Sequence, residues 1–212
     1  RPRAGAATPL AWPMIPYMRA NLRTKQHTLA DANALVAVSS VIAADLLSRA
    51  PVLDRSKLHT IPNPFYMSAL DVQFASASAP RTQPYLLYVG KLATNKGAQF
   101  LVPAVRAAGL SLPLVVVGDG PLRASVEAAA RSCGVDLTVL GWQPREVVWA
   151  WMRHAQLMAY PSYGPESLSR VLVEGAALGV PIAAMDTGGT RDILRHQETA
   201  LLSTTPGAFA QD

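Results

Sequence analysis

Residues 85–90 read YLLYVG and residues 114–121 read LVVVGDGP, and these two stretches decide the fold. Each begins with a short apolar run rich in Val and Leu, which is typical of a strand buried on both faces of a sheet. Each run ends at a glycine, Gly90 or Gly118, and a stretch with helical periodicity follows. Buried strands that alternate with helices predict a parallel sheet with helices on both faces.

The same alternation continues through the rest of the chain. Further strands are predicted at 137–140, 156–160, 181–185 and 200–202, and helices at 97–108, from about 121 to 131, and at 145–154, 167–178 and 190–195. Residues 85–212 are therefore expected to form a doubly wound, Rossmann-like α/β domain.

The first 66 residues are organised differently. A helix is predicted at 19–31, a strand at 34–38, a helix capped by Ser39 or Ser40 that ends near residue 49, and a strand at 58–61. Two strands are too few for an independent sheet, so residues 1–66 are expected to be the end of a second Rossmann-like domain. Residues 67–84, rich in Ala, Ser and Pro, are the expected linker. The chain is accordingly expected to be a fragment that lacks most of its N-terminal domain and its extreme C-terminus.

The net charge of +5, from 19 basic and 14 acidic residues, has a local origin. Five basic residues precede the first acidic one, Asp31, and they are Arg1, Arg3, Arg19, Arg23 and Lys25. This segment is expected either to face solvent or to touch an anionic membrane surface. A nucleic-acid surface would need more Lys and Arg, interleaved with aromatic residues on one face, so no nucleic-acid partner is expected.

The cysteine count and the hydropathy indicate the cellular compartment. Cys133 is the only cysteine, which excludes an intramolecular disulfide and a cysteine-rich zinc site. No apolar stretch reaches the roughly 18–20 residues that span a bilayer, and the N-terminus lacks the apolar core of a signal peptide. A cytoplasmic location is therefore expected. The alternative in which the basic segment touches a membrane would place the protein peripherally at the inner face of that membrane. The acids and the four histidines lack metal-ligand spacing, so no metal site is expected.

Residues 161–175 carry the clearest chemical signal. They read PSYGPESLSRVLVEG, with Glu166 and Glu174 eight residues apart after a predicted strand. On a continuous helix this offset spans roughly 12 Å, about the distance from the ribose to the sugar of a nucleotide-diphosphate sugar. Each carboxylate can accept from two neighbouring hydroxyls, and N–H groups at a helix start can hold a diphosphate. The alternative is a surface helix with solvated acids, whose buried face includes Leu168 and Leu172.

This segment resembles the E-x7-E motif of the GT4 family of glycosyltransferases, which have the GT-B fold. Further landmarks occur in the family's order between residues 34 and 202, and they are Val38-Ser39-Ser40, Ile61-Pro62-Asn63-Pro64, Val89-Gly90-Lys91, Asn95-Lys96-Gly97, Gly118-Asp119-Gly120-Pro121, Gly141-Trp142, Gly179-Val180-Pro181 and Gly188-Gly189. Each motif alone is common, but together they make coincidence a poor explanation. The chain is identified as a member of this family.

The resemblance implies a retaining hexosyltransferase-type enzyme (EC 2.4) that moves a sugar from a nucleotide-diphosphate sugar to a glycan, a lipid-linked glycan or a small molecule. Glu174 would bind the ribose and Glu166 the transferred sugar. Catalytic roles are implied for Glu166, Lys91 and Lys96, with the two lysines holding the diphosphate. Donor binding is implied for Gly90, Lys91, Lys96, Gly141, Trp142, Glu166, Ser167, Leu168, Ser169 and Glu174. Trp142 would flank the base or else be a partly buried structural residue, and no metal or other cofactor is expected.

Two features depart from the family pattern, and other interpretations stay open. Ser167-Leu168-Ser169 stands where a run such as GFG is common, and Asp192 replaces a glutamate. A non-hydrolysing UDP-sugar 2-epimerase shares the two-domain plan, and a donor-binding half could be inactive alone. A generic dinucleotide-binding domain is disfavoured, because residues 90–95 offer one glycine where that site needs three. The base, the sugar and the acceptor cannot be identified from the sequence.

Overall fold

A computed structural model describes residues 14–65, 80–164 and 166–211. By its internal contacts the chain divides into two compact units, Arg1–Ile61 and Pro62–Asp212. The division falls slightly before the predicted end of the first part at residue 66, and residues up to Phe65 group with the larger unit. The ring of Phe65 packs edge-on against Trp149, with 6.0 Å between the ring centroids. Most of the predicted linker 67–84 lies outside the described residues.

The described part of the smaller unit, residues 14–61, contains two helices and two strands. They are α1 Ile15–Ala30, β1 Leu35–Ala37, α2 Ser40–Arg49 and β2 Leu58–Thr60, with a 3-10 turn at Arg55–Lys57. The two strands are parallel, with Leu35 opposite Leu58. Ser39 caps α2, because its hydroxyl accepts from the N–H of Ile42. Within the described ranges, no helix is long and apolar enough to cross a membrane.

The larger unit alternates strands and helices along the chain. Among its described residues the elements are β3 Leu86–Val89, α3 Leu101–Ala107, β4 Leu114–Val117, α4 Arg123–Cys133, β5 Leu137–Gly141, α5 Arg145–Arg153, β6 Leu157–Tyr160, α6 Arg170–Ala177, β7 Ile182–Met185, β8 Leu201–Ser203 and α7 Pro206–Phe209. Three 3-10 turns lie at Thr94–Lys96, Ala98–Phe100 and Gly188–Asp192. The six strands form one parallel sheet in the order β5-β4-β3-β6-β7-β8.

The central strands are buried on both faces because successive side chains point into two different cores. Leu87 and Val115 belong to one apolar cluster, which also contains Trp149 from α5 and Leu172 from α6. Leu86, Tyr88, Leu114 and Val116 belong to a second cluster, which α3 and α4 complete with Leu101, Val102, Val105, Val126 and Ala130. Helices therefore cover both faces of the sheet, and the predicted doubly wound α/β class is confirmed.

Several predicted helix bounds are wrong, and one of the differences matters for the site. The helix expected from Ser167 begins at Arg170, because Ser169 has extended backbone angles and its hydroxyl accepts from the N–H of Leu172. Glu166 therefore precedes the helix and lies in a loop. The helix expected at 97–108 is a 3-10 turn followed by α3, the one at 190–195 is the 3-10 turn Gly188–Asp192, and α7 was not predicted.

The strand order indicates where on the sheet a ligand site is expected. The chain starts the sheet at β3, adds β4 and β5 on one side, and then returns to add β6, β7 and β8 on the other. Loops that leave β3 and β6 at their carboxyl ends consequently run in opposite directions and open a crevice between them. In open α/β sheets this switch point is where ligands bind.

Candidate functional site

The loops that follow β3 and β6 pack backbone against backbone at this switch point. The carbonyl oxygen of Asn95 accepts from the N–H of Gly164 at 3.0 Å. Gly97 has a φ of +70°, and a Cβ there would overlap the carbonyl of Pro161. Glycine is required at 97 on both counts, because other residues rarely adopt that φ and none would fit the contact.

This packing brings together two residues that the sequence singled out. Nζ of Lys96 lies 2.5 Å from Oε2 of Glu166, although the two residues are 70 positions apart in the chain. Their side chains are 28% and 18% exposed, so the ion pair is largely withdrawn from solvent. The hydroxyl of Ser162 also lies 3.2 Å from the same carboxylate oxygen. One oxygen of Glu166 is thus contacted by both a cation and a hydroxyl.

A third loop fixes the backbone of Glu166. The N–H of Gly189 donates to the carbonyl of Glu166 at 3.4 Å. Gly188 has a φ of +55°, and a Cβ on it would overlap that same carbonyl. Gly188 therefore allows the loop after β7 to approach the backbone of Glu166 more closely than a residue with a side chain could.

Two buried tyrosines lie near the ion pair. The pKa of Tyr160 is raised to about 12, mainly by burial and also by the neighbouring Glu166 carboxylate, against smaller opposing effects of hydrogen bonds to Ser169 and Ser162. Burial also raises the pKa of Tyr88 above its ordinary value, with smaller contributions from Tyr160 and Glu166. The hydroxyl of Tyr88 donates to the carbonyl of Lys91 at 2.9 Å, which fixes the turn that carries this lysine. Both phenols therefore remain neutral hydrogen-bond donors at physiological pH.

An open cleft of about 420 Å³ lies at the same edge of the sheet. Its lining residues come from the ends of β3, β4 and β5 and from α5, and they are Val89, Gly90, Lys91, Val117, Gly118, Asp119, Trp142, Gln143 and Val148. Lys91 is exposed, and within the described part of the chain no carboxylate forms an ion pair with it. The cleft therefore presents a cation without an acidic partner beside apolar walls.

The turns at the rim of this cleft depend on glycines. Gly118 donates its N–H to the carbonyl of Gly141 at 2.8 Å, and a Cβ on Gly118 would overlap the carbonyl of Gly90. Asp119 accepts from the N–H of Gly120 at 2.7 Å and from Arg123 at 2.9 Å. These two hydrogen bonds lower the pKa of Asp119 below its ordinary value, so it remains a carboxylate at the rim.

Trp142 is far more exposed than a structural tryptophan. Its side chain is 80% exposed although it lines the cleft. The alternative in which Trp142 is a partly buried structural residue is therefore wrong. An indole presented to solvent at the rim of a cleft is available to stack on a planar ligand.

Glu174 has a different environment from Glu166. It lies half-buried on α6 and lines a smaller cavity of about 110 Å³ with Arg145, Arg170 and Trp149. The guanidinium of Arg145 stacks over the ring of Trp149 at 5.5 Å from its centroid. The roughly 12 Å helical separation expected between the two glutamates does not apply, because Glu166 lies outside the helix that carries Glu174.

The three residues between Glu166 and α6 do not share one role. Ser167 is exposed, whereas Leu168 and Ser169 are 6% and 5% exposed. The hydroxyl of Ser169 caps α6, which the sequence did not anticipate. The first N–H groups of any helix lack intrahelical partners, so the start of α6 can offer donors to an anion.

Sequence reasoning missed Ser162 and Asn95, which lie in the loops after β6 and β3. The position of Ser162 directly beyond a buried strand was the signal that could have found it, because functional groups cluster at such carboxyl ends. Asn95 contributes a backbone carbonyl, which every residue has, so the sequence pattern could not predict this contact. In the described ranges, no three His, Cys, Asp or Glu side chains lie close enough to hold a metal ion.

Comparisons with known proteins agree with this architecture. The family model of glycosyl transferases group 1 matches residues 83–212. A 2-deoxystreptamine N-acetyl-D-glucosaminyltransferase from Niallia circulans is 29% identical over 186 residues, which are 85% of this chain and 43% of that protein. The chain spans about half the length of the curated relatives it matches.

Solved structures show the same fold at lower sequence identity. A glycosyltransferase from Rickettsia africae superposes with a TM-score of 0.75 at 17% identity, covering 89% of this chain and 55% of that one. Anabaena Alr3699/HepE, crystallised with UDP and glucose, gives a TM-score of 0.67 at 20% identity, with 88% and 54% covered. The predicted GT-B type of α/β fold is confirmed. Because the family model matches more than half of its residues, the chain belongs to the family of glycosyl transferases group 1.

Proposed function

We propose that this chain binds the donor of a retaining glycosyltransferase (EC 2.4), which moves a hexose from a nucleotide-diphosphate sugar to an acceptor. The observation that carries the proposal is the contact between Lys96 and Glu166 at the switch point of the sheet. It places a cation and a carboxylate side by side, at the same edge of the sheet as a cleft that exposes Lys91. A nucleotide-diphosphate sugar is a ligand that needs both kinds of group, because it joins an anionic diphosphate to a polyol.

In this proposal the two lysines bind the diphosphate. Lys91 has no acidic partner in the described residues, and Lys96 can exchange its carboxylate for a phosphate oxygen. Cations that face the bridging oxygen would stabilise the negative charge that develops on the leaving nucleotide. N–H groups of Ser167, Leu168 and Ser169, which precede α6, and of the first turn of α6 would supply further donors. We propose that this charge suffices without a bound metal.

The sugar, the ribose and the base then take separate partners. Glu166 would accept from hydroxyls of the transferred hexose, and Glu174 from those of the ribose. Trp142, exposed beside Gly141 at the cleft rim, would stack on the base. The complex of Alr3699/HepE with UDP makes a uridine donor the first to test. A small-molecule acceptor has a precedent in the 2-deoxystreptamine-specific relative, with a glycan or a lipid-linked glycan as the other acceptor classes.

Calorimetric titration with UDP-glucose, GDP-mannose and ADP-glucose tests the proposal. We expect saturable binding of one sugar nucleotide, and weaker binding of that donor to a Lys91→Met, Lys96→Met double variant. Lys57→Met is a matched control, because this lysine contacts the carbonyl of Ala30 in the smaller unit. Binding of none of the three sugar nucleotides would refute the proposal.

A second candidate function is donor binding without transfer by this chain alone. It is favoured by the coverage of about half the length of the curated relatives. Incubation of the bound sugar nucleotide with the chain and candidate acceptors separates the candidates. Transfer predicts a glycosylated product with retained anomeric configuration, whereas binding alone predicts an unchanged donor. A 2-epimerase would instead change the configuration of the donor sugar in the absence of an acceptor.

We further propose that helix α1 contacts an anionic membrane surface at the cytoplasmic face. The helix contains no acidic residue, and its described side chains include the exposed apolar groups of Tyr17, Met18 and Leu22. Arg19 and Lys25 lie beside Met18 and Leu22 on the same surface. Apolar contact combined with basic charge is the pattern that binds anionic lipid. Co-sedimentation with phosphatidylglycerol vesicles but not with phosphatidylcholine vesicles is expected, and equal pelleting with both would contradict this contact.

A further inference from the structure

Ser162 is a buried hydroxyl that the proposed function has not yet used. It follows Pro161 beyond the carboxyl end of β6, and it is 1% exposed. Its Oγ lies 3.2 Å from Oε2 of Glu166 and 3.3 Å from the carbonyl oxygen of Asn95. Both neighbours are acceptors, whereas a serine hydroxyl has a single hydrogen to donate.

The two acceptors do not compete equally for this hydrogen. The carbonyl of Asn95 already accepts from the N–H of Gly164 at 3.0 Å. The Glu166 oxygen carries negative charge in a largely buried position, and hydrogen bonds to ionised groups are the stronger ones. The hydroxyl of Ser162 therefore donates mainly to Glu166.

The backbone of Ser162 cannot easily move away from the carboxylate. The hydroxyl of Thr187 donates to the carbonyl of Ser162 at 2.8 Å. On the other side, Pro161 lies against Gly97 so closely that a Cβ on the glycine would overlap its carbonyl. Three loops thus hold one buried hydroxyl beside one carboxylate oxygen.

Ser162 and Lys96 both reach Oε2 of Glu166, but they restrain it differently. The lysine is itself a proposed ligand of the diphosphate, so its contact with the carboxylate weakens when a donor arrives. No diphosphate contact is proposed for Ser162, so its hydroxyl can stay hydrogen-bonded to Oε2 when the donor binds. With Oε2 restrained, Oε1 is presented in a fixed direction and can accept from a hydroxyl of the sugar.

We propose that Ser162 is a positioning residue for donor-sugar recognition: its hydroxyl orients the carboxylate of Glu166. The inference rests on the proposed function, in which Glu166 contacts the sugar. Its consequence is selective, because Ser162 acts on the hexose through Glu166 and does not touch the nucleotide. Loss of the hydroxyl should reduce the preference for the sugar nucleotide over the free nucleoside diphosphate.

The experiment compares the affinities for two matched ligands by calorimetry. The pair is UDP-glucose and UDP, or GDP-mannose and GDP, or ADP-glucose and ADP, whichever sugar nucleotide binds. Ser162→Ala should weaken binding of the sugar nucleotide about tenfold, roughly the worth of one hydrogen bond to a charged group. Binding of the free diphosphate should stay within about twofold. Ser162→Cys fills nearly the same space with a much weaker donor, so it should lose the same preference without creating a cavity.

Two further variants test whether Ser162 acts through Glu166 and whether loss of a buried hydroxyl alone explains the effect. Glu166→Gln alone should reduce the preference for the sugar nucleotide, and adding Ser162→Ala to it should cause no further loss. Ser39→Ala removes a hydroxyl that is equally buried but caps α2 in the smaller unit, and it should change only the stability.

The outcomes separate the two claims. An unchanged preference in Glu166→Gln would overturn the role of Glu166 in the proposed function. A reduced preference in Glu166→Gln with an unchanged preference in Ser162→Ala and Ser162→Cys would overturn only the role of Ser162. Equal weakening of both ligands would also overturn it, because that is the effect of general damage to the fold.

Discussion

The contact between the loops after β3 and β6 can be tested through one methyl group. Gly97 and Gly179 have nearly the same backbone conformation, with φ values of +70° and +71°. A Cβ on Gly97 would overlap the carbonyl of Pro161, whereas a Cβ on Gly179 would meet nothing within 4 Å. The pair Gly97→Ala and Gly179→Ala therefore separates the strain of a positive φ from the overlap between the two loops.

The expected magnitudes follow from these two contributions. An alanine in the left-handed region costs about 1–2 kcal/mol, and this is the whole expected effect of Gly179→Ala. Gly97→Ala should add roughly 1–3 kcal/mol, because a backbone carbonyl has to move to relieve the overlap. The displaced loops also carry Lys96 and Ser162, next to Glu166. We therefore expect sugar-nucleotide affinity to fall by at least about tenfold in Gly97→Ala and to change by less than about twofold in Gly179→Ala.

Urea unfolding followed by circular dichroism measures the first effect, and calorimetric titration measures the second. Equal destabilisation by the two substitutions would show that the loops do not press against each other at Gly97. A large loss of stability with unchanged affinity for the sugar nucleotide would show that the loop contact does not position the donor-binding residues. Either result would refute the argument that packing of these two loops builds the site.

Three further predictions concern individual side chains. Glu174→Ala should weaken binding of the free nucleoside diphosphate more than it reduces sugar discrimination, and Glu166→Ala should do the reverse; equal, negligible effects in calorimetry would contradict a donor-binding role for both residues. Trp142→Ala should change the free energy of unfolding by less than about 0.5 kcal/mol, because the side chain is 80% exposed, yet weaken nucleotide binding about fivefold through lost stacking; unchanged affinity would contradict base stacking. Burial raises the pKa of Tyr160 from 10.0 to about 12, so the fold should lose stability as the pH rises from about 10 to about 12. Tyr160→Phe should reduce that loss in urea unfolding at several alkaline pH values, with Tyr88 still contributing to the rest, and an unchanged slope would contradict the prediction.

The sheet could be predicted from the sequence because its central strands have a clear local pattern of apolar residues. The four residues of β3 and the four of β4 are all buried, so each strand appears as a continuous apolar run. The alternating helices follow from the same pattern, and their apolar stripes complete the two clusters on either side of the sheet. Local periodicity therefore sufficed for the fold class.

The start of α6 could not be read in the same way. Ser162, Ser167 and Ser169 precede it, and each has a hydroxyl that can cap a helix. The choice of Ser169 depends on extended backbone angles that a local pattern does not specify. The predicted helix began too early, so Glu166 was expected close to its first turn. The expected distance of roughly 12 Å between the two glutamates therefore assumed a continuous helix that the structure does not contain.

The environment of Glu166 depends on contacts that are remote in the sequence. The resemblance to the family assigned Lys96 and Glu166 to one donor, but their direct contact follows from β3 and β6 being neighbours in the sheet. Ser162 and the carbonyl of Asn95 belong to the same remote contact. The sequence thus indicated which residues to examine, and the strand order supplied their arrangement.

The adjacency of β3 and β6 also bears on how the chain acquires its site during folding. Leu86 pairs with Leu157 across the sheet, and the segment between them includes β4, β5 and three helices. Closing so long a loop is entropically unfavourable, and parallel pairings of this kind form slowly. A nascent chain could complete β3, α3 and β4 before the residues of β6 have been synthesised. Donor binding should therefore be acquired late, and its appearance during refolding would time the closure of the sheet.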